Sequence, residues 1–360
     1  MVLLSQNDQK KALFTAQLLD WALHENKREL PWKEEKEPYR IWLSEIILQQ
    51  TRAAQGRPYY ERFIAAYPTL ADLAAAPDDD VFRLWQGLGY YNRCRNMLET
   101  ARYLVAEKEG KFPEDFEELL SLKGIGPYTA AAIASFAFGR PHAVVDGNVI
   151  RVLARVFGIQ TPFDTSEGKK EFQQLATALL AADEPARYNQ AIMDLGATVC
   201  LPLSPVCGAC PERKICTAFQ EGLINLLPVR SKKQAIRQRF FHYILLQWQD
   251  TLWVHRRGAG DIWQNLYEPL LVETPEALDS KQLLQLEAVK RLHLKGEIQF
   301  GGSLKQRLTH QQLELRFFIF ELSEKPDLHL LAGQWQPVGR LQRLAFPRSV
   351  VSFFQKNHYF

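Results

Sequence analysis

Four of the five cysteines lie in one short stretch, Cys200, Cys207, Cys210 and Cys216, with the spacing C-x6-C-x2-C-x5-C. Four thiolates that converge on one place hold a metal centre through sulfur. Zinc is ordinarily gripped by two C-x-x-C pairs, and only Cys207 and Cys210 form such a pair here. The uneven loop suits the separated corners of a [4Fe–4S] cluster better than a single zinc ion. Disulfides are the remaining reading, but they would leave Cys94 over and need an exported protein, which nothing in the chain announces.

Two carboxylates stand in unusual surroundings. Glu45 sits inside 41–48, a helix that is apolar almost all round. A carboxyl group there must be paired, reach solvent, or stay protonated near neutrality, and the last is what a general acid requires. Asp146 follows the apolar run 143–145 and precedes a helix that begins near Val149. Both Asp146 and Asn148 are helix-capping residue types. Asn148 is read as the cap, which leaves Asp146 free to face a developing positive charge.

A third feature is the run 122–130, where Gly124 and Gly126 stand two apart just before an alanine-rich helix. Glycines allow a tight turn with positive φ and let the backbone approach a ligand closely. Amide N–H groups at the following helix N-terminus favour an anion such as a phosphate. With a helix predicted over 115–120, the run reads as a hairpin that clamps a DNA phosphate; a plain interhelical turn has the same sequence signature.

The elements that must position these groups fall into two halves. The chain has 360 residues, 46% of them hydrophobic and 24% charged, ample for two cored domains. No apolar run approaches the roughly 18 residues of a membrane span, and the N-terminus lacks a signal-peptide pattern; a reducing cytoplasm fits the free thiols. Net charge is only +3, with basic residues grouped at Arg93, Arg95 and Arg102 and again at Arg230, Lys232, Lys233, Arg237 and Arg239. From Asp8 to Ala218 the apolar spacing is helical, for example Leu13, Ala16, Leu19 and Leu23, or Val149, Val152, Leu153 and Val156. Residues 227–238 read as a linker. Beyond them the period becomes two: Leu313, Leu315, Phe317 and Ile319 predict a half-buried strand, and 240–248 with 252–256 predict a hairpin turning at Gln249 and Asp250. Helices are predicted at 275–292 and 347–356, giving a smaller α+β domain.

Together the Glu45 segment 42–51, the glycine hairpin, the segment 145–149 and the cysteine loop resemble the helix-hairpin-helix DNA glycosylases, and within them the MutY-type adenine DNA glycosylases. The resemblance implies an all-α helix-hairpin-helix catalytic domain over 1–226 that holds a [4Fe–4S] cluster on the loop 200–216, and an α+β Nudix-like recognition domain over 239–360. It implies base excision repair of adenine mispaired with 8-oxoguanine or guanine in double-stranded DNA, by a monomer in the bacterial nucleoid. Residue by residue, it makes Glu45 the acid that protonates adenine and Asp146 the stabiliser of the sugar cation, with Tyr128 and Asn148 ordering the groups around them. Arg28, Leu30, Trp32 and Gln190 would line the adenine pocket. Gln50 and Thr51 would meet the opposing base, Leu88 and Tyr90 would wedge the duplex, and Gly124 and Gly126 would hold a phosphate. Leu308, Thr309, His310 and Gln311 align with the loop that reads 8-oxoguanine, though Leu and Thr replace that loop's usual Phe and Ser. Tyr128 stands where strand-cutting relatives such as endonuclease III carry a lysine, which implies a monofunctional glycosylase. No Nudix box is present, so pyrophosphatase activity is not expected. A non-catalytic iron–sulfur DNA-binding protein is the competing reading, and two carboxylates in unlikely places argue against it.

Overall fold

The computed structural model describes residues 6–231, 236–308, 310–329 and 331–359. Thr309, Lys232 and Lys233, singled out above, lie outside them. Chain contacts divide the molecule into two compact units, Met1–Ala74 with Asn96–Lys232, and Ala75–Arg95 with Lys233–Phe360.

The first half of the chain is helical: α1 (Gln6–His24), α2 (Pro38–Leu48), α3 (Ala53–Ala66), α4 (Leu70–Ala75), α5 (Asp78–Trp85), α6 (Tyr91–Glu107), α7 (Phe116–Ser121), α8 (Pro127–Phe136), α9 (Gly147–Phe157), α10 (Ser166–Leu179), α11 (Pro185–Thr198) and the short α12 (Thr217–Gln220). Local chemistry sets the starts. Glu37 caps α2 by accepting from the Tyr39 and Arg40 amides, Asp115 caps α7, and Thr165 caps α10. The core joins Phe14, Leu18 and Trp21 of α1 to Val149, Val152 and Val156 of α9 and to Tyr188, Ile192 and Leu195 of α11. The predicted face of α9 is the buried one. That of α1 is not: Leu13 and Leu23 are exposed, and the buried stripe runs through Phe14, Leu18 and Trp21. Two apolar stripes compete on this helix, and the one with two aromatic rings removes more surface from water.

The second unit is built on a seven-stranded mixed sheet: β1 (Arg237–Trp248), β2 (Thr251–Arg256), β3 (Tyr267–Glu268), β4 (Leu270–Thr274), β5 (Gly296–Arg307), β6 (Gln311–Leu322) and β7 (Gln334–Pro337). The order is β3-β2-β1-β6-β5, with β4 on β1 and β7 on β2; β1 and β6 run parallel, and the other pairs are antiparallel. The β1–β2 hairpin turns at Gln249 and Asp250, as expected. β6 departs from expectation. Leu313, Leu315 and Phe317 pack under α15 (Arg348–Lys356), but Phe318 and Phe320 are buried on the opposite face, against α13 (Ser280–Gln285) and α14 (Glu287–Lys290). A strand covered on both faces loses simple alternation. The helix predicted over 275–292 is these two short helices, and the capping box between Asp279 and Gln282 sets the late start.

Residues 75–95 fall with this second unit, where Arg256 pairs with Asp79 at 3.2 Å and Arg95 donates to Gln264. Arg239, grouped above with other basic residues, is buried: it chelates Asp261 and Glu273, while Arg257 holds Asp261 and Glu268. Asp261, Glu268 and Glu273 are thus engaged by arginine.

Candidate active site

A cleft of ≈ 1200 Å³ opens in the helical unit. It is lined by Arg28, Leu30 and Trp32 after α1, Glu45 on α2, Gln50 and Thr51 just past it, Tyr128 on the first turn of α8, Asp146 and Asn148 at the start of α9, and Gln190 on α11. Five separate segments thereby bring the carboxylates, their neighbours and the expected pocket residues to one wall. Leu88, Tyr90, Gly124, Gly126 and His310 do not line it. Leu88 is buried, whereas Tyr90 is half exposed with φ +47.

Glu45 can be traced from its helix upward. α2 carries an uninterrupted buried run from Ile41 to Ile47 and packs on α8. That burial leaves Glu45 only 6% exposed and pushes its carboxyl up to about 7; the Tyr128 hydroxyl donates to it and opposes the rise, while the nearby Asp146 charge adds to it. Burial and the same two carboxylates hold the Tyr128 phenol well above its usual range, so it remains a neutral donor. Gln50, immediately past the helix, takes the left-handed φ of +55, a conformation that costs a non-glycine residue about 1 kcal/mol.

Asp146 corrects the sequence expectation. It is itself the N-cap of α9: one carboxylate oxygen accepts the Val149 amide at 2.7 Å, and the other accepts the Asn148 side-chain amide at 2.7 Å. A side chain at the cap reaches the amide three residues on, which Asp146 satisfies once Gly147 is the first helical residue. Asn148 instead lies inside the first turn and folds back. Both oxygens are therefore fixed rather than free. Burial raises the Asp146 pKa, and the Val149 and Asn148 hydrogen bonds and the Arg151 charge work against it.

Arg151 extends this arrangement. Its guanidinium donates to the Asn148 side-chain oxygen at 2.8 Å, to the Gly196 carbonyl at 2.6 Å and to the Cys200 carbonyl at 2.7 Å. The sequence reading missed it, although a basic residue one turn past a capping pair is a visible cue. Gly196 faces Asn148 with no room for a side chain: a Cβ there would stand 2.6 Å from that of Asn148. Asp194 was also missed. It is fully buried on α11 and accepts from Asn26, Arg28 and Gln190.

The four predicted cysteines are all free thiols and ring one small cavity together with Arg155, Arg213, Phe219 and Ile224. Arg155 donates to Cys200 Sγ at 3.5 Å and to the Leu201 and Pro202 carbonyls, and Cys216 Sγ donates to the Arg155 carbonyl at 3.4 Å. Burial pushes the Cys210 thiol up to about 12 and raises Cys207 and Cys216 as well. Among the described residues no three His, Cys, Asp or Glu side chains converge as a single ion requires. A ring of four thiols without carboxylate or imidazole, flanked by arginines that offset thiolate charge, has the donor set of an iron–sulfur cluster.

In the hairpin, Gly124 has φ +80 and its Cα lies against Asn96, where a Cβ would stand 2.7 Å from the asparagine Cβ. Gly126 caps α8 with an ordinary φ of −96 and faces open space. Only the first glycine is there for positive φ. The second leaves the backbone uncovered before the free amides of α8. No helix among the described residues is long and apolar enough to cross a membrane.

Comparison with known proteins agrees with this layout. Residues 43–178 match the HhH-GPD superfamily of base excision DNA repair proteins, and residues 242–356 match the NUDIX domain. An adenine DNA glycosylase of Buchnera aphidicola subsp. Acyrthosiphon pisum is 32% identical over 257 residues, covering 71% of this chain and 73% of that protein. The adenine DNA glycosylase of Rattus norvegicus is 43% identical over 227 residues, 60% of this chain and 44% of that protein. Among solved structures, a thermostable thymine-DNA glycosylase superposes with a TM-score of 0.56 at 28% identity, over 60% of this chain and 100% of its own. An endonuclease III–DNA complex shares the fold at a TM-score of 0.51 and 24% identity, over 61% of this chain and 99% of its own. A helical HhH-GPD unit followed in sequence by a Nudix-like unit, matched along most of a curated relative, makes this chain a DNA glycosylase that belongs to the adenine DNA glycosylase family.

Proposed function

We propose that the protein removes adenine mispaired with 8-oxoguanine or guanine in duplex DNA, acting as a monomer, by hydrolysing the N-glycosidic bond without cutting the strand. The observation that carries this reading is the pairing of two carboxylates in one cleft, one beside a neutral phenol and one fixed by two hydrogen bonds. Adenine is a poor leaving group as an anion, so an acid must protonate the ring; Glu45, with its carboxyl near 7, holds that proton at neutral pH. The departing base leaves positive charge on the sugar, and Asp146 is the carboxylate that meets it, its oxygens pre-set by Val149 and Asn148. Tyr128 holds the Glu45 carboxyl in place and, lacking an amine, forms no imine with the sugar.

A base inside a stacked duplex is out of reach, so the nucleotide must be extruded. Arg28, Leu30, Trp32 and Gln190 would receive the adenine. Tyr90, half exposed, and Leu88 would wedge the duplex, Gln50 and Thr51 would meet the opposing base, and Gly124 and Gly126 would hold a backbone phosphate. Cys200, Cys207, Cys210 and Cys216 would hold a [4Fe–4S] cluster, which shapes the loop and supplies no chemistry at the glycosidic bond. The Nudix-like unit would read the opposing 8-oxoguanine through His310 and its neighbour Thr309. Single-turnover base release from adenine opposite 8-oxoguanine, guanine, cytosine and thymine tests the reading. Release is expected on the first two and lost in Glu45→Gln with duplex binding kept; wild-type release rates in Glu45→Gln would sink the mechanism.

A further inference from the structure

Asp194 is an ionisable residue that the chemistry of base release leaves unused. It lies on α11 one helical turn beyond Gln190, its side chain has 0% exposure, and it is not part of the cleft wall. Donors surround it. Oδ1 accepts from Arg28 Nη1 at 2.7 Å and Gln190 Nε2 at 2.9 Å; Oδ2 accepts from Asn26 Nδ2 at 2.7 Å and stands 3.5 Å from the Lys33 ammonium. Arg28 and Gln190 do line the cleft.

An ionised carboxylate can only accept hydrogen bonds. The Gln190 amide must therefore meet Asp194 through its NH2 group, which commits the amide oxygen to the cleft side. Arg28, which can only donate, meets Asp194 through Nη1 and lines the cleft beside Gln190. One wall thus presents an acceptor beside a donor. Along its six-membered ring, adenine offers a 6-amino donor beside the N1 acceptor; a 6-oxopurine offers the reverse.

We propose that Asp194 is the positioning residue that sets base specificity, locking Gln190 as an acceptor beside Arg28, always a donor, so that the cleft matches a 6-aminopurine and opposes a 6-oxopurine. The proposal rests on the reading above that this cleft receives adenine. Its reach depends on charge rather than shape. Asn at position 194 keeps the volume but can donate, which lets the Gln190 amide turn over and offer its NH2 group to a 6-oxo base. A polar site that loses its matched partner discriminates far less well.

The test compares single-turnover release of adenine and of hypoxanthine, its 6-oxo counterpart, placed opposite 8-oxoguanine in the same duplex. Wild type should strongly favour adenine. Asp194→Asn should slow adenine release at least tenfold and narrow the adenine-to-hypoxanthine ratio at least tenfold, with affinity for duplex carrying an abasic site within about twofold of wild type. Gln190→Ala, which leaves the charged hub in place, should narrow the ratio by itself, and adding Asp194→Asn to it should narrow it no further. Equal slowing of both bases by Asp194→Asn, an unchanged ratio in Gln190→Ala, or additive effects in the double variant would each overturn the proposal. The wild-type arm separates the two levels: no adenine release in wild type overturns the reading of the cleft and this proposal with it, whereas active wild type with an unmoved ratio overturns this proposal alone.

Discussion

At neutral pH the Glu45 carboxyl is poised between its two forms, because burial moves it from an ordinary value of 4.5 to about 7. The catalytic consequence is a rate that falls as pH rises through about 7, when the acid loses its proton, and that falls again in acid as Asp146, whose own pKa is raised, is neutralised. Single-turnover release measured across pH should show both limbs, and the upper limb should be absent from any residual rate of Glu45→Gln. The stability consequence has a definite sign. A carboxyl whose folded pKa exceeds its unfolded one stabilises the fold fully below 4.5 and loses that contribution as pH rises to about 7. Glu45→Gln, neutral at every pH, should therefore melt above wild type in alkaline buffer, by an amount equivalent to about 3 kcal/mol, and the gap should close in acid. Equal melting of the two at about pH 8 would mean that burial of this carboxylate is not felt. Glu45 stood out in the sequence as an acid in an apolar helix, a head reaching solvent being the plain alternative, and the fold buries it. Asp194 meets the same description, between Met193 and Leu195, but it was not singled out, since its partners Arg28 and Asn26 lie far away in sequence and only the fold brings them to α11. Asp146 and Asn148 show the opposite limit: both are capping types two residues apart, and only the backbone decides which reaches the Val149 amide.

The hairpin between α7 and α8 carries two glycines for two different reasons, and they separate experimentally. Gly124 combines φ +80 with direct contact to Asn96. Ala there must strain the backbone and push Asn96 away, at a cost of about 1–3 kcal/mol, so Gly124→Ala should lower the melting temperature. Gly126 has φ −96 and open space around the missing Cβ. Gly126→Ala should melt as wild type does yet bind every duplex more weakly regardless of sequence, because a methyl group keeps a phosphate off the α8 amides. Duplex affinities across a salt titration, set beside the melts, check both halves. Wild-type affinity in Gly126→Ala would mean that no phosphate approaches this turn. The sequence marked the hairpin but not this division, since positive φ at one glycine and not the other follows from how α7 and α8 meet. Element boundaries blurred for a similar reason: α13 begins only at Ser280, after the Asp279 cap, because its capping box outweighs the apolar pattern that starts earlier.

At the scale of the whole molecule the chain folds as two units, and the sequence shows the passage from helices to strands as a change of period from helical spacing to alternation near residue 239. It did not foretell that 75–95 would group with the second unit, because ion pairs such as Arg256 with Asp79 join residues too distant for any local pattern to link. The acid chemistry proposed above falls to the cleft of the helical unit, whereas the loop proposed to read the opposing base lies between β5 and β6. There Leu308 donates to the Gln311 carbonyl, the His310 carbonyl accepts from Arg237, and the His310 side chain is exposed. A side chain in this position can discriminate between opposing bases without touching the bond that breaks. His310→Ala should therefore leave the release constant for adenine opposite guanine within about twofold while reducing the preference for 8-oxoguanine several-fold, as loss of one polar contact worth about 1 kcal/mol implies. Glu45→Gln should do the reverse, abolishing release while keeping the binding preference between the two duplexes. Release constants and equilibrium affinities measured on the same pair of duplexes decide the matter. If His310→Ala slows release opposite both bases by one common factor, the two units do not act independently, and recognition of the opposing base is part of the chemical step.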